Sequence, residues 1–206
     1  MKRSTLAIVA ILALCIGAGS AWFIQQSQPL KLSAGTWFGD QARALPEFEL
    51  VDQNGRKFTQ DNLKGKWHLV FFGYTHCPDI CPTSLQTMAD MVKAIDDTDV
   101  SQALRVMFVS VDPGRDTPEL LKSYVEYFNP DFIGATGTEA NLQQLTRPIG
   151  INYFLEHKNS DEKTYEVGHS AAFVLFNPDA KFAGLFGAPH DSNAIAQDLT
   201  MLIERY

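Results

Sequence analysis

The run Leu69-Val70-Phe71-Phe72 is apolar at every position, and a strand with no polar face must be covered on both sides. Such a strand belongs in the middle of a sheet. It runs straight into Gly73-Tyr74-Thr75-His76-Cys77-Pro78-Asp79-Ile80-Cys81-Pro82, which sets two thiols four positions apart just past its carboxyl end. Beyond Pro82, Leu85, Met88, Val92 and Ile95 recur at spacings of three and four, one face of a helix. Proline suits the first helical position but costs about 3 kcal/mol in a helix interior, so the regular helix is expected to begin at Pro82. Cys81 would then sit near the N-cap and Cys77 in the preceding turn, where the positive helix end favours thiolate.

The rest of the chain alternates between the two periods. Phe48, Leu50 and Phe58 flank Asn54-Gly55, a hairpin signal. Leu104 to Val111 predicts a second buried strand. Thr117 then offers an N-cap with Pro118 at the first helical position, ahead of Leu120, Leu121, Tyr124, Val125 and Phe128. A further helix is expected from Thr138 to about Ile149, strands at Ile151 to Leu155, Ala172 to Phe176 and Phe182 to Phe186, and a closing helix after Ser192. This order resembles an α/β, thioredoxin-like fold with an N-terminal β-hairpin extension and a mid-chain insertion. Open α/β sheets place their working groups beyond the carboxyl ends of the strands, where the cysteine turn lies.

The N-terminal segment sets the compartment. No charge occurs from Ser4 to Leu30, and Leu6 to Ile24 is almost wholly apolar behind Lys2 and Arg3. That is about the 20 residues a spanning helix needs, and the basic flank would stay in the cytoplasm. Residues 1–24 are therefore read as one transmembrane helix or an uncleaved signal, residues 25–44 as a polar tether, and residues 45–206 as one domain. Ala18-Gly19-Ser20 leaves cleavage as the alternative. Cys15 follows the bulky Leu14, so it reads as an apolar filler of the span rather than a lipid-attachment site. The implied location is the bacterial inner membrane with the domain in the periplasm. A formal net charge of −7 and no block of Lys or Arg argue against nucleic acid and against a polybasic grip on lipid.

Two nearby thiols can form a disulfide, exchange one with a partner, or hold a soft metal as thiolates. A metal would need a further donor, and imidazole suits copper. His68 reads as a partly exposed strand residue, His157 as part of a solvated charged loop and His190 as a surface residue near a helix start. His76 adjoins Cys77 too closely to chelate comfortably beside it, which leaves it tuning the site or meeting a partner. His169 differs, because Val167-Gly168-His169-Ser170 leads into the apolar run Ala172 to Phe176, whose preceding loop faces the cysteine turn in thioredoxin-like chains.

The cysteine motif, Val109-Ser110-Val111-Asp112-Pro113 with Arg115-Asp116-Thr117-Pro118, and His169-Ser170 occur together. On these residues the domain resembles the Sco/SenC family of membrane-anchored copper chaperones. The resemblance implies a non-enzymatic copper carrier, for Cu(I) or Cu(II), with Cys77, Cys81 and His169 as ligands. His76, Asp79 and Asp112 are candidates for tuning the site. It implies delivery of copper to, or preparation of, the binuclear copper centre of cytochrome c oxidase subunit II. A periplasmic thiol–disulfide reductant and another periplasmic copper carrier are implied as further partners. Many members carry an acidic residue directly before the ligand histidine, where this chain has Gly168. The rival expectation is a membrane-tethered thiol–disulfide oxidoreductase in which Cys77 attacks and Cys81 resolves. A peroxiredoxin-like peroxidase fits less well, because Thr75 precedes Cys77 by two positions rather than three. A copper-responsive interaction protein is a third class.

Overall fold

The computed structural model describes residues 11–20, 30–157 and 165–206. The chain divides into two compact units, Met1–Lys31 and Leu32–Tyr206. In the first, residues 11–20 form helix α1, while the rest of the expected span lies outside the described residues. Among the described residues, no helix is long and apolar enough to cross a membrane.

The second unit is built on β5 (Trp67–Gly73), which is buried at every position, as the apolar run requires. It pairs in parallel with β6 (Leu104–Ser110) and antiparallel with β10 (Phe173–Phe176). Strand β10 turns back into β11 (Lys181–Phe186) through Asn177, whose carboxamide oxygen accepts from Lys181 N at 2.9 Å. This arrangement is the thioredoxin-like core. Beyond β6 lie β7 (Ile133–Thr136), in parallel, and then the expected hairpin of β3 (Leu50–Asp52) and β4 (Lys57–Phe58), with Leu50 opposite Phe58. Helix α2 (Gln60–Leu63) leads from the hairpin to β5.

Helix α3 (Ile80–Ala94) follows the cysteine turn and buries Cys81, Leu85, Met88, Ala89 and Met91. Short α4 (Thr98–Ala103) enters β6. Helix α5 (Pro118–Phe128) returns to β7, capped by Thr117 as anticipated, and α3 packs against both α5 and the closing helix α7 (Ser192–Arg205). Successive β5–α3–β6 and β6–α5–β7 crossovers have one handedness, which explains why their helices share a face. Helix α6 (Glu139–Thr146) stops three residues short of the expected end, where Pro148 breaks the α pattern into a 3-10 turn.

Three expectations need correction. Helix α3 starts at Ile80, not Pro82. Its first intrahelical bond runs from Thr83 N to Asp79 O, so the N–H that Pro82 lacks is one that no helix would satisfy. Residues 32–44, read as tether, are built into the sheet as β1 (Gly35–Trp37) and β2 (Arg43–Ala44), both paired with β11. The cause is Asp198 of α7: its buried carboxylate accepts from Ser33 N, Ser33 Oγ, Ala34 N and Gly35 N at 2.7 to 3.2 Å. His68 is not partly exposed but buried, at 2% exposure, between Phe176 and Arg105 in the sheet.

Burial pulls the His68 imidazole down from 6.5 to about 4, with the Arg105 charge acting in the same direction. The folded chain therefore holds fewer protons than the unfolded one between these values. The contribution of His68 to stability is fully present above pH 6.5 and is lost as pH falls toward 4, by about 3 kcal/mol. Urea denaturation across this window is expected to show that loss, and His68→Gln to flatten it. At neutral pH, Asp198→Ala is expected to cost about 3 kcal/mol, because the N–H groups of residues 33–35 lose a charged acceptor.

Candidate metal centre

Because Gly73 stands opposite Ser110 in the β5–β6 register, the two loops that leave these strands run side by side. Asp116, in the second loop, ties them together. Its carboxylate is buried and accepts from Thr75 N at 2.9 Å, Thr75 Oγ1 at 2.6 Å and Ser110 Oγ at 2.6 Å. The cysteine turn is closed further by Cys77 N, which donates to Tyr74 O at 3.3 Å. Cys81 is the second residue of α3, in the first turn at its positive end, and packs against the backbone of Gly73. A Cβ on Gly73 would stand 2.6 Å from Cys81 Sγ and 2.9 Å from the Phe108 ring, so this close approach requires glycine.

The third side chain arrives from far along the chain. His169 ends β9 (Tyr165–His169), which, among the described residues, pairs with β8 (Tyr153–His157) alone in a two-stranded sheet of their own. The imidazole meets Phe71 and Tyr74 edge-on, with Nε2 3.3 Å from Cys81 Sγ. Its Nδ1 lies 3.1 Å from Ser170 O. A carbonyl only accepts, so Nδ1 carries the hydrogen and Nε2 presents a lone pair to the sulfurs. Burial lowers the His169 pKa, against smaller opposing effects from the Ser170 and Phe72 backbones, which favours the neutral, metal-binding form.

Donor atoms of Cys77, Cys81 and His169 lie within 4.8 Å of one another. Ligands bonded to one first-row metal ion at about 2.0 to 2.3 Å span up to about 4.6 Å, so a small adjustment closes this set on a single ion. Two sulfurs and one imidazole suit a soft or borderline ion, and no carboxylate joins them. Neither cysteine is in a disulfide. The expectation that the helix end favours thiolate fails at Cys81: burial pushes this thiol well above its ordinary value, and Cys77 and Asp116 push the same way.

The other candidates fall elsewhere. His76 is exposed, with Nδ1 turned to Thr75 Oγ1 at 3.0 Å and to Asp116 at 3.6 Å, away from the cluster. Asp79 is exposed at the N-cap of α3, near the Thr83 hydroxyl. Asp112 is buried and accepts from Arg115 Nε at 2.5 Å and from the Tyr165 hydroxyl. Burial and this bond push the Tyr165 phenol up to about 12, so it remains a donor. His190 is half-buried rather than on the surface. The His157 side chain and most of its expected loop lie outside the described residues, while Cys15 is exposed in α1. At Gly168 an added Cβ would stand 2.3 Å from the ring of its cross-strand partner Phe154. A larger residue there would displace that ring. Sequence reasoning passed over Asp116 as a site residue, although its position shortly after the second apolar strand marks it.

A family model described as SCO1/SenC matches residues 39–204. The chain belongs to the SCO1/SenC family. Among its relatives, a Stutzerimonas stutzeri protein named as copper-binding is 37% identical over 79% of this chain and 78% of its own length. The copper-bound crystal structure of Arabidopsis thaliana ScoI shares 32% identity, covering 78% of this chain and 98% of that one, with a TM-score of 0.71. The structure of Bradyrhizobium japonicum ScoI with copper bound shares 34% identity, covering 77% of this chain and 98% of that one, with a TM-score of 0.67.

In this SCO1/SenC chain, the tight fit of Gly73 gives a test of the geometry. Gly73→Ala is expected to push Cys81 out of place, weakening soft-metal binding and lowering stability by about 1 to 3 kcal/mol in urea denaturation.

Proposed function

We propose that this SCO1/SenC protein is a copper-binding chaperone, anchored in the bacterial inner membrane with its domain in the periplasm. It delivers copper to, or prepares, the binuclear copper centre of cytochrome c oxidase subunit II. The observation that carries the reading is the convergence of Cys77, Cys81 and His169 from two distant parts of a chain whose relatives are named for copper and hold it in crystals.

Copper supplies the positive charge that makes both thiols acidic. The chain's own part is to give up two protons at sulfur and to offer the Nε2 lone pair of His169. Cys81, fully buried, fixes one side of the site, whereas Cys77 is at its rim with 9% exposure. An incoming thiolate from a partner can reach an ion at Cys77 before Cys81 lets go, so copper passes through a shared-ligand state without release to water. A periplasmic thiol–disulfide reductant keeps both cysteines reduced, and another copper carrier loads them.

Anaerobic titration of the reduced protein with Cu(I) and Cu(II) tests this reading. One equivalent of either ion is expected to bind the unaltered chain; Cys77→Ser and Cys81→Ser are expected to lose stoichiometric binding of both ions, and His169→Ala that of Cu(II). If His169→Ala still reduces oxidised subunit II and supports oxidase assembly, the chain is instead a thiol–disulfide oxidoreductase.

A further inference from the structure

An isolated two-stranded hairpin is marginal in water, yet β8–β9 must hold His169 over the sulfurs. Its position therefore depends on contacts from outside the hairpin. At the start of β9, Arg115 Nη1 donates to Tyr165 O at 3.1 Å, and its guanidinium lies 3.8 Å from the Tyr165 ring centroid. The same guanidinium donates through Nε to Asp112, and Asp112 accepts in turn from the Tyr165 hydroxyl. Tyr74 of the cysteine turn also lies near it, at 5.6 Å. Just past the end of β9, His190 Nε2 lies 2.8 Å from Ala171 O, to which it donates. Its ring stacks on Phe173 at 3.7 Å. Neither Arg115 nor His190 contributes a donor to the cluster.

We propose that Arg115 and His190 are positioning residues that clamp the segment Tyr165–Ala172 at its two ends and so hold His169 against the cysteines. This deepens the copper reading and rests on it. Arg115 suits the task because one planar group makes two hydrogen bonds on different elements and stacks on an aromatic face, which a lysine ammonium cannot do together. The effect on metal choice is selective. Two thiolates alone suit Cu(I), whereas Cu(II) prefers nitrogen in its ligand set. Loosening the clamp therefore weakens Cu(II) far more than Cu(I).

The test uses the reduced full-length protein, titrated with each copper ion against a competing chelator, together with the paramagnetic resonance spectrum of the Cu(II) form. Arg115→Leu is expected to lower Cu(II) affinity by about 10-fold to 100-fold, the range for groups that orient a ligand. Cu(I) affinity should change little, and the nitrogen coupling from His169 should fade. Arg115→Lys should not restore it. His190→Phe keeps the stack on Phe173 but loses the bond to Ala171, and should move Cu(II) affinity in the same direction by less. In a His169→Ala background, Arg115→Leu should add no further loss, whereas a general structural role would add one.

In the metal-free protein, the backbone amides of β9 should exchange hydrogen faster in Arg115→Leu than in the unaltered chain. If Arg115→Leu does not fold, Tyr165→Phe, which removes the bond to Asp112, carries the same expectation with His190→Phe. Equal losses for both copper ions, an unchanged Cu(II) spectrum or unchanged exchange in β9 would overturn the clamp. Failure of the unaltered chain to bind copper, or full binding by His169→Ala, would instead sink the copper reading and leave the exchange result to judge the clamp.

Discussion

The arrangement depends on one buried carboxylate. Asp116, at 1% exposure, lies where an unpaired polar group would be costly, and it is satisfied only if Thr75 and Ser110 are brought to it. That requirement locks the cysteine turn to the end of β6. Parallel pairing of β5 and β6 fixes how far apart the two strand ends lie, and Asp116 fixes how the turn folds between them. Given both, Gly73 provides the space into which the Cys81 sulfur packs. The sulfurs are thereby held by local chain geometry, before any metal or partner is involved.

The histidine is placed by different means. It comes 88 positions after Cys81, on a hairpin outside the main sheet. Its approach must be stabilised by side chains instead of by a shared ladder: Arg115 and Asp112 from the β6–α5 loop, aromatic edges from Phe71 and Tyr74, and His190 beyond β11. A side chain carried by such a hairpin is easier to move than one set in the central sheet.

How much of this was legible in the sequence varied with the kind of force involved. β5 was legible because burial on both faces leaves an uninterrupted apolar run, and α5 because Thr117-Pro118 supplies both cap and first position. The fold family and the three donors came from the joint occurrence of motifs, which carries more information than any period. The start of α3 was misread because the penalty for Pro82 was applied at a position where no hydrogen bond is lost. Strands β1 and β2 are too short to show a period; both pair with β11, and the segment entering β1 is held by Asp198, over 160 positions away. His68 is polar in sequence but buried in fact, because its sheet neighbours rather than its own chemistry decide its exposure. Asp116 escaped notice because its role lies in joining Ser110, six positions away, to Thr75, 41 positions away in the other loop.

The two cysteines differ in their surroundings, Cys81 being fully buried and Cys77 at the rim with 9% exposure. Thiolate, not thiol, is the reactive form. Burial pushes the Cys81 thiol above its ordinary value, which disfavours its thiolate in the metal-free chain, and a reagent from solvent meets the rim sulfur of Cys77 first. A cation held by these donors would supply the charge that offsets loss of the Cys81 proton. Burial thus shields the Cys81 sulfur from oxidants in solvent without removing it from the donor set.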